Sequence, residues 1–300
     1  MRIPKLAVLA LFLLSLIWGY SWIVMKVALR YAGPFDLAAL RSLFGAACLF
    51  LLLLFSGQPV RPSRNLELFG LGIVQTTGYL ILCTLALVEG GAGRTAVLVF
   101  AMPFWTVLLA WPLLGERIRG LQWLALALAI LGLVLILEPW YWQGGIVSKL
   151  LAVAAGIDWA VSSIMVKRLR KRGQIALLSL TTWQMIYGSL PLLLIAWFVP
   201  ERPIHWSGEF MLALGFIAVF TMATGWSLWL YVLNHLPAGA ASMSMLAIPV
   251  VAIATSYLQM HEVPSHPEVA GMVLIAIALA TLSWRAVRQH REMTGTMGQE

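Results

Sequence analysis

Two stretches decide the fold: AGRTAVLVFAMPFWTVLLAWPLLGE (residues 92–116) and AGAASMSMLAIPVVAIATSYLQMHE (residues 238–262). Both open on Ala-Gly, at Ala92-Gly93 and Ala238-Gly239. Both carry Ala and Pro two residues apart, at Ala101 and Pro103 and at Ala247 and Pro249. Both end on a glutamate, Glu116 or Glu262, and every pair is offset by 146 residues without a gap. Upstream, WGYSWIVMK (residues 18–26) resembles WAVSSIMVK (residues 159–167) at an offset of 141. The spacing predicts that the chain is an internal duplication.

What is duplicated follows from composition. Of 300 residues, 61% are hydrophobic and 11% charged, with a mean hydropathy of +0.89. A soluble domain carries about 25% charged residues, so an ordinary water-soluble enzyme is excluded, and so is a disordered chain. A membrane-crossing helix takes about 20 apolar residues. Apolar segments bounded by charges, Pro or Gly predict ten spans: 6–31, 38–55, 68–88, 94–114, 120–137, 144–166, 176–199, 210–233, 238–259 and 267–284. The N-terminal apolar run is too long for a signal-peptide core and lacks a small-residue cleavage site, so it reads as the first span. Each half holds an odd number of spans, so the second half enters the membrane upside down. The expected fold is an all-α integral membrane protein of ten transmembrane helices in two inverted five-helix repeats, residues 1–143 and 144–284. Residues 285–300 form a polar, frayed cytoplasmic tail.

Orientation follows from the basic residues. With the N-terminus inside, fourteen Lys and Arg face the cytoplasm and six face out: Lys26, Arg30, Arg41, Arg94, Lys149 and Arg202. This obeys the positive-inside rule and puts both termini in the cytoplasm. Trp140, Trp142, Trp206 and Trp284 suit the two interfaces. The net charge of +8 is therefore a topology signal, and no groove-reading motif points to nucleic acid. Cys48 and Cys83 fall within apolar stretches and read as small buried side chains rather than a disulfide.

Inverted repeats with mid-helix prolines suit alternating access around a site near the midplane. The sequence resembles the drug/metabolite transporter superfamily, with two EamA-type repeats of five helices. The matching marks are Trp18-Gly19, Pro103, Pro249 and Gly115-Glu116, each half closing on a small-residue-rich helix. Within the superfamily it is most similar to the YddG-type exporters of aromatic and other neutral amino acids. The resemblance implies a plasma (inner) membrane carrier whose transport core comprises spans one to four and six to nine. In the second half His261 stands where Gly precedes the glutamate, and Pro264 follows closely.

Trp18, Ser21, Trp22 and Met25 share one face of the first span, and Trp159, Ser162, Ser163 and Val166 repeat it in the sixth. Gln75 and Tyr79 in span three, and Gln184, Tyr187 and Gly188 in span seven, add amides and phenols that are costly in lipid. These faces read either as interhelical glue or as a cavity. The cavity reading comprises Trp18, Trp22, Gln75, Tyr79, Trp105, Asp158, Trp159, Ser163, Gln184, Tyr187 and Ser244, with Trp226 and Trp229 as further candidates. Asp158 is the only acid near the middle of a span, where it would bind a substrate ammonium, carry a coupling proton, or be satisfied structurally. Lys26 lies too far along the helix to pair with it. Pro103 and Pro249 remove backbone N–H groups and free the carbonyls of Val99 and Met245, giving either static kinks or hinges. Lys26, Arg41 and Arg94, with Glu89, sit toward the outer mouth, where they snorkel or form a vestibule that attracts a carboxylate. Glu116 and Glu262 read as helix-end anchors.

Enzymatic readings fall away. No nucleotide-binding loop or nucleophile-elbow motif is present, and one intramembrane Asp cannot make a dyad. The sequence HEVPSH (residues 261–266) spaces its histidines by five with Pro264 between them, which defeats a zinc-binding helix. A channel would need repeated polar rings, which are not seen. No metal or cofactor is expected. A secondary exporter of a small amphiphilic solute remains, most plainly an amino acid with a large apolar side chain, with a lipophilic-drug or other metabolite exporter as the alternative.

Overall fold

The computed structural model describes residues 5–118, 120–141, 145–173, 175–235 and 247–296, and these are helical throughout apart from short connections. In chain order the helices are α1 (Lys5–Ala28), α2 (Pro34–Phe55), α3 (Asn65–Gly72), α4 (Tyr79–Glu89), α5 (Ala92–Val99), α6 (Met102–Leu114), α7 (Leu121–Leu137), α8 (Ile146–Lys171), α9 (Leu177–Phe198), α10 (Gly208–Gly215), α11 (Gly225–His235), α12 (Ala247–Met260) and α13 (His266–Thr296). Two π-helical segments, Ile73–Gly78 and Phe216–Thr224, join α3 to α4 and α10 to α11. Joined in this way, seven stretches are long and apolar enough to cross a membrane, and Leu121–Leu137, Ala247–Met260 and His266–Leu282 are shorter apolar helices.

The apolar exterior fits that reading. Leu6, Phe12, Leu212 and Trp197 stand 66%, 59%, 77% and 83% exposed, which in water would be a large unfavourable patch and in lipid is the expected surface. Inside, helices meet through residues without a side chain. A Cβ on Gly72 of α3 would lie 2.7 Å from the backbone nitrogen of Gly188 in α9, so these two backbones touch. A Cβ on Gly132 of α7 would lie 2.7 Å from the Gly271 carbonyl oxygen of α13. Such approaches replace the missing hydrophobic drive between helices in lipid with close van der Waals packing.

Three expectations need correction. Span three is not one α-helix, because at Ile73–Gly78 the backbone shifts to π register, inserting an extra residue that a 3.6-residue period cannot reveal. Span four is not one unbroken α-helix, although Phe100 and Ala101 keep right-handed helical torsions. It stops at Val99 and restarts at Met102, with Pro103 in the first turn of α6, where a missing N–H costs nothing. The tail expected to fray at Arg285 continues α13 as helix to Thr296. Pro249 is the third residue of the described helix α12. The Ala238-Gly239 half of the ninth span, Met245 and Trp142 lie outside the described residues.

Candidate functional site

The helices line a central, partly open cavity of about 100 Å³. α1 contributes Trp18, Ser21, Trp22 and Met25, one complete helical face at i, i+3, i+4 and i+7. The first π segment and α4 contribute Gln75, Thr76, Tyr79, Leu80 and Cys83, and the break between α5 and α6 contributes Val99, Phe100 and Met102. Trp159 of α8, Gln184 and Met185 of α9, Thr221 and Met222 of the second π segment, and Trp226 of α11 complete the wall with Arg41 of α2. Both π segments thus border the cavity. Changing hydrogen-bond register leaves backbone groups open to other partners, and one is used here. The Trp18 indole Nε1 donates to the Thr221 carbonyl at 3.0 Å. On the other side, Thr76 Oγ1 donates to Gln184 Oε1 at 2.9 Å and Thr77 Oγ1 donates to the Gly188 carbonyl at 2.7 Å. These bonds tie the first π segment to α9 and fix the amide of Gln184.

Aromatic edges shape the space. Tyr79 and Trp159 meet edge-on with ring centroids 4.7 Å apart, Trp18 and Trp226 at 6.0 Å, and Trp22 and Phe100 at 6.4 Å. Such a lining packs an apolar or aromatic body while the amides and hydroxyls orient a polar end.

The structure brings Trp18, Trp22, Gln75, Tyr79, Trp159 and Gln184 to this cavity and leaves other expected residues off its wall. Trp105 turns toward α8 near Gly156, its buried indole nitrogen without a hydrogen-bond partner among the described residues. Tyr187 packs against Trp183 and Phe69. Ser163 Oγ returns to the Trp159 carbonyl and borders a groove with Lys167 and Arg170. Asp158 abuts Gly78 and is not among the lining residues, and its buried Oδ2 has no hydrogen-bond partner among the described residues. Ser244 lies outside the described residues. Trp229 reaches Trp18 with ring centroids at 6.3 Å.

Lys26 and Arg94 are near enough to interact electrostatically, while Arg41 borders the central cavity instead. Lys26 Nζ donates to the carbonyls of Leu87, Val88 and Gly90 at 2.6, 3.2 and 2.8 Å, capping the C-terminal end of α4 where the helix dipole favours a cation. Arg94 Nη1 pairs with Glu268 Oε1 at 2.7 Å. Lys149 meets the same Glu268 oxygen at 3.3 Å and Glu138 Oε2 at 3.2 Å, and Ser265 Oγ donates to Glu138 at 2.8 Å. Glu262 accepts from the Ala92 backbone N–H at 3.2 Å and from the Ser256 hydroxyl, while Glu116 pairs with Lys167. Both glutamates therefore anchor helix ends. Between the spans, Tyr31 donates to Glu209, and that hydrogen bond holds its phenol above the usual tyrosine range.

Sequence reasoning missed Thr76, Phe100, Met185, Thr221 and Met222 as lining residues and misplaced Arg41. Thr76 and Thr221 lie in π segments, which leave no periodic trace, and Phe100 is exposed to the cavity by the helix break. Cys48 and Cys83 are both free. Among the described residues no cluster of His, Cys, Asp and Glu fits a metal.

Comparison with known proteins places this geometry. The chain matches the EamA-like transporter family twice, over residues 5–138 and 147–284. It is 25% identical to the uncharacterized transporter YoaV of Bacillus subtilis (strain 168) over 271 residues, 88% of this chain and 92% of that one. It is 28% identical over 300 residues to a probable amino-acid metabolite efflux pump of Escherichia coli (strain K12), covering 94% and 97% of the two chains. A solved crystal structure superposes with a TM-score of 0.65 at 20% identity over 93% of this chain and 98% of that one, a likeness of fold.

Proposed function

From the premise that this chain belongs to the EamA-like transporter family, with two repeats in one multi-pass membrane protein, we propose that it exports small solutes with a large apolar body, most specifically aromatic or other neutral amino acids. The single observation that carries this reading is the central cavity, walled by four indoles and by amide groups. An indole-lined space in the middle of a bundle gives an apolar side chain a surface to pack on. The relative named as an amino-acid metabolite efflux pump supports the same substrate class.

The ten-span, two-repeat reading supplies the transport cycle. The two halves thread the plasma membrane in opposite senses with both termini in the cytoplasm, so one cavity has two related ways to close. Pro103 lies in the first turn of α6 and Pro249 near the start of the described part of α12, and the residues just before them act as hinges. In the fourth span the i→i−4 ladder is already interrupted at Phe100–Ala101, where the Ala101 N–H bonds to Leu98 and the Phe104 N–H to Ala101, so opening starts from an existing irregularity.

Purified protein in liposomes loaded with labelled phenylalanine, tryptophan, leucine or threonine tests the reading. Efflux of at least one above protein-free vesicles is expected. Efflux confined to lipophilic cations or other metabolites, with every neutral amino acid retained, would overturn the substrate class and favour the alternative exporter.

A further inference from the structure

Arg41 is buried, 5% exposed, and borders the central cavity beside Met25, Tyr79 and Cys83. Its Nη1 donates to the Met25 thioether sulfur at 2.7 Å, a weak acceptor, and its buried Nε has no partner among the described residues. The chain has twelve acidic residues to balance it. Glu292 and Glu300 lie near the C-terminal end, and none of the other ten forms an ion pair with Arg41. Residues 236–246, outside the described set, contain no acid. A guanidinium stays charged at any accessible pH, and an intramembrane charge is costly unless something answers it.

We propose that Arg41 is an anion-binding residue of the central cavity and that the transported solute presents a carboxylate to it. The inference rests on the cavity's being the transport site and adds a specificity rule to it. A planar, forked donor set matches a carboxylate in bidentate fashion. The other lining residues are uncharged, among them indoles, thioethers, hydroxyls and amides, and the buried Asp158, which acts on Tyr79 and Cys83, forms no ion pair with Arg41, so the guanidinium is left for a carboxylate. The ligand class is a monocarboxylate with an apolar or aromatic body.

The test uses purified full-length protein and four probes of similar shape: L-phenylalanine, 3-phenylpropionate, phenylalaninamide and phenethylamine. Binding is read as ligand-dependent thermal protection in detergent, and competition is read in proteoliposome counterflow of labelled phenylalanine. In the wild type the two carboxylates bind at least about tenfold more tightly than the amide or the amine. Arg41→Gln weakens the carboxylates about 10- to 100-fold and does not weaken the amide or the amine, so the preference vanishes. Arg41→Lys retains part of it, since charge survives but the fork does not.

A wild type that prefers no carboxylate, or that is protected by none of the probes, overturns the proposal. So does an Arg41→Gln protein with its preference intact. If Arg41→Gln fails to fold, the wild-type preference and its reduction in Arg41→Lys decide. The two readings fail separately. Protection by 3-phenylpropionate that is lost in Arg41→Gln, with no phenylalanine counterflow, upholds the anion site and removes the amino-acid substrate. Phenylalanine counterflow with the preference unaltered in Arg41→Gln does the reverse.

Discussion

Arg94 and Arg41 show what this bundle does with a cation when a carboxylate is at hand and when none is. Arg94 joins Glu268, Lys149 and Glu138 in a cluster that ties α5 and α8 to the start of α13, with Glu268 only 2% exposed. Arg41 is buried as deeply as that glutamate, yet its one described hydrogen bond goes to a thioether. The cluster is closed, with each charge answered by another from a different helix, and such a group holds structure. The cavity leaves its one charge unanswered among the described residues, which is what the proposed carboxylate site requires. The difference separates stability from recognition, and substitutions can pull the two apart.

The largest effect is expected from Glu268→Ala. It removes the shared partner of Arg94 and Lys149, and only Lys149 retains another carboxylate, Glu138. Breaking a buried pair in this way costs about 3 kcal/mol, discounted for the partly exposed Arg94, and thermal melting in detergent should fall accordingly. Gly188→Ala comes next. Its new Cβ would lie 2.5 Å from the Thr76 Cβ and press on the Gly72 carbonyl, forcing α3 and α9 apart at a cost of about 2 kcal/mol. Denaturation and flux should both suffer, because the same contact aligns Gln184 with the cavity.

Pro103→Ala should cost only about 0.5–1 kcal/mol, since proline already suits the first turn of α6 and its removal mainly frees the unfolded chain. Its expected signature is kinetic: a lower maximal flux with unchanged half-saturation, measured in proteoliposomes. Equal flux would leave the break at Phe100–Ala101 a static feature. Smallest in stability is Arg41→Gln, within about 1 kcal/mol of wild type, because no ion pair is lost and a buried charge is removed. A melting loss as large as that of Glu268→Ala would show that Arg41 is a structural residue after all and erase the contrast.

The sequence disclosed most where periodicity and physics coincide. Trp18, Ser21, Trp22 and Met25 line the cavity because four residues at helical spacing must share a face. Gly132 and Gly271 meet because small residues in the last span of each half have no other way to bring helices together in lipid. The π segments were invisible, since one extra residue per turn leaves an apolar run apolar, and with them went Thr76 and Thr221. Arg41 was misread for another reason. Its distance along α2 from Pro34 gives depth but not rotation about the helix axis, and rotation turns it into the cavity. Asp158 was placed inside the bundle by the cost of its charge, but that cost alone does not say whether its side chain lines the cavity. For Arg94, no spacing rule could announce Glu268, 174 residues away.

The claim beneath all of this is that two halves run in opposite senses through the membrane around one cavity. Single cysteines at Lys5, Arg172 and Arg202, in a chain freed of Cys48 and Cys83, test it most directly through labelling by a membrane-impermeant maleimide. The account predicts that Lys5 and Arg172 react only from the cytoplasmic side and Arg202 only from outside. Labelling of Lys5 and Arg172 from opposite sides would contradict it.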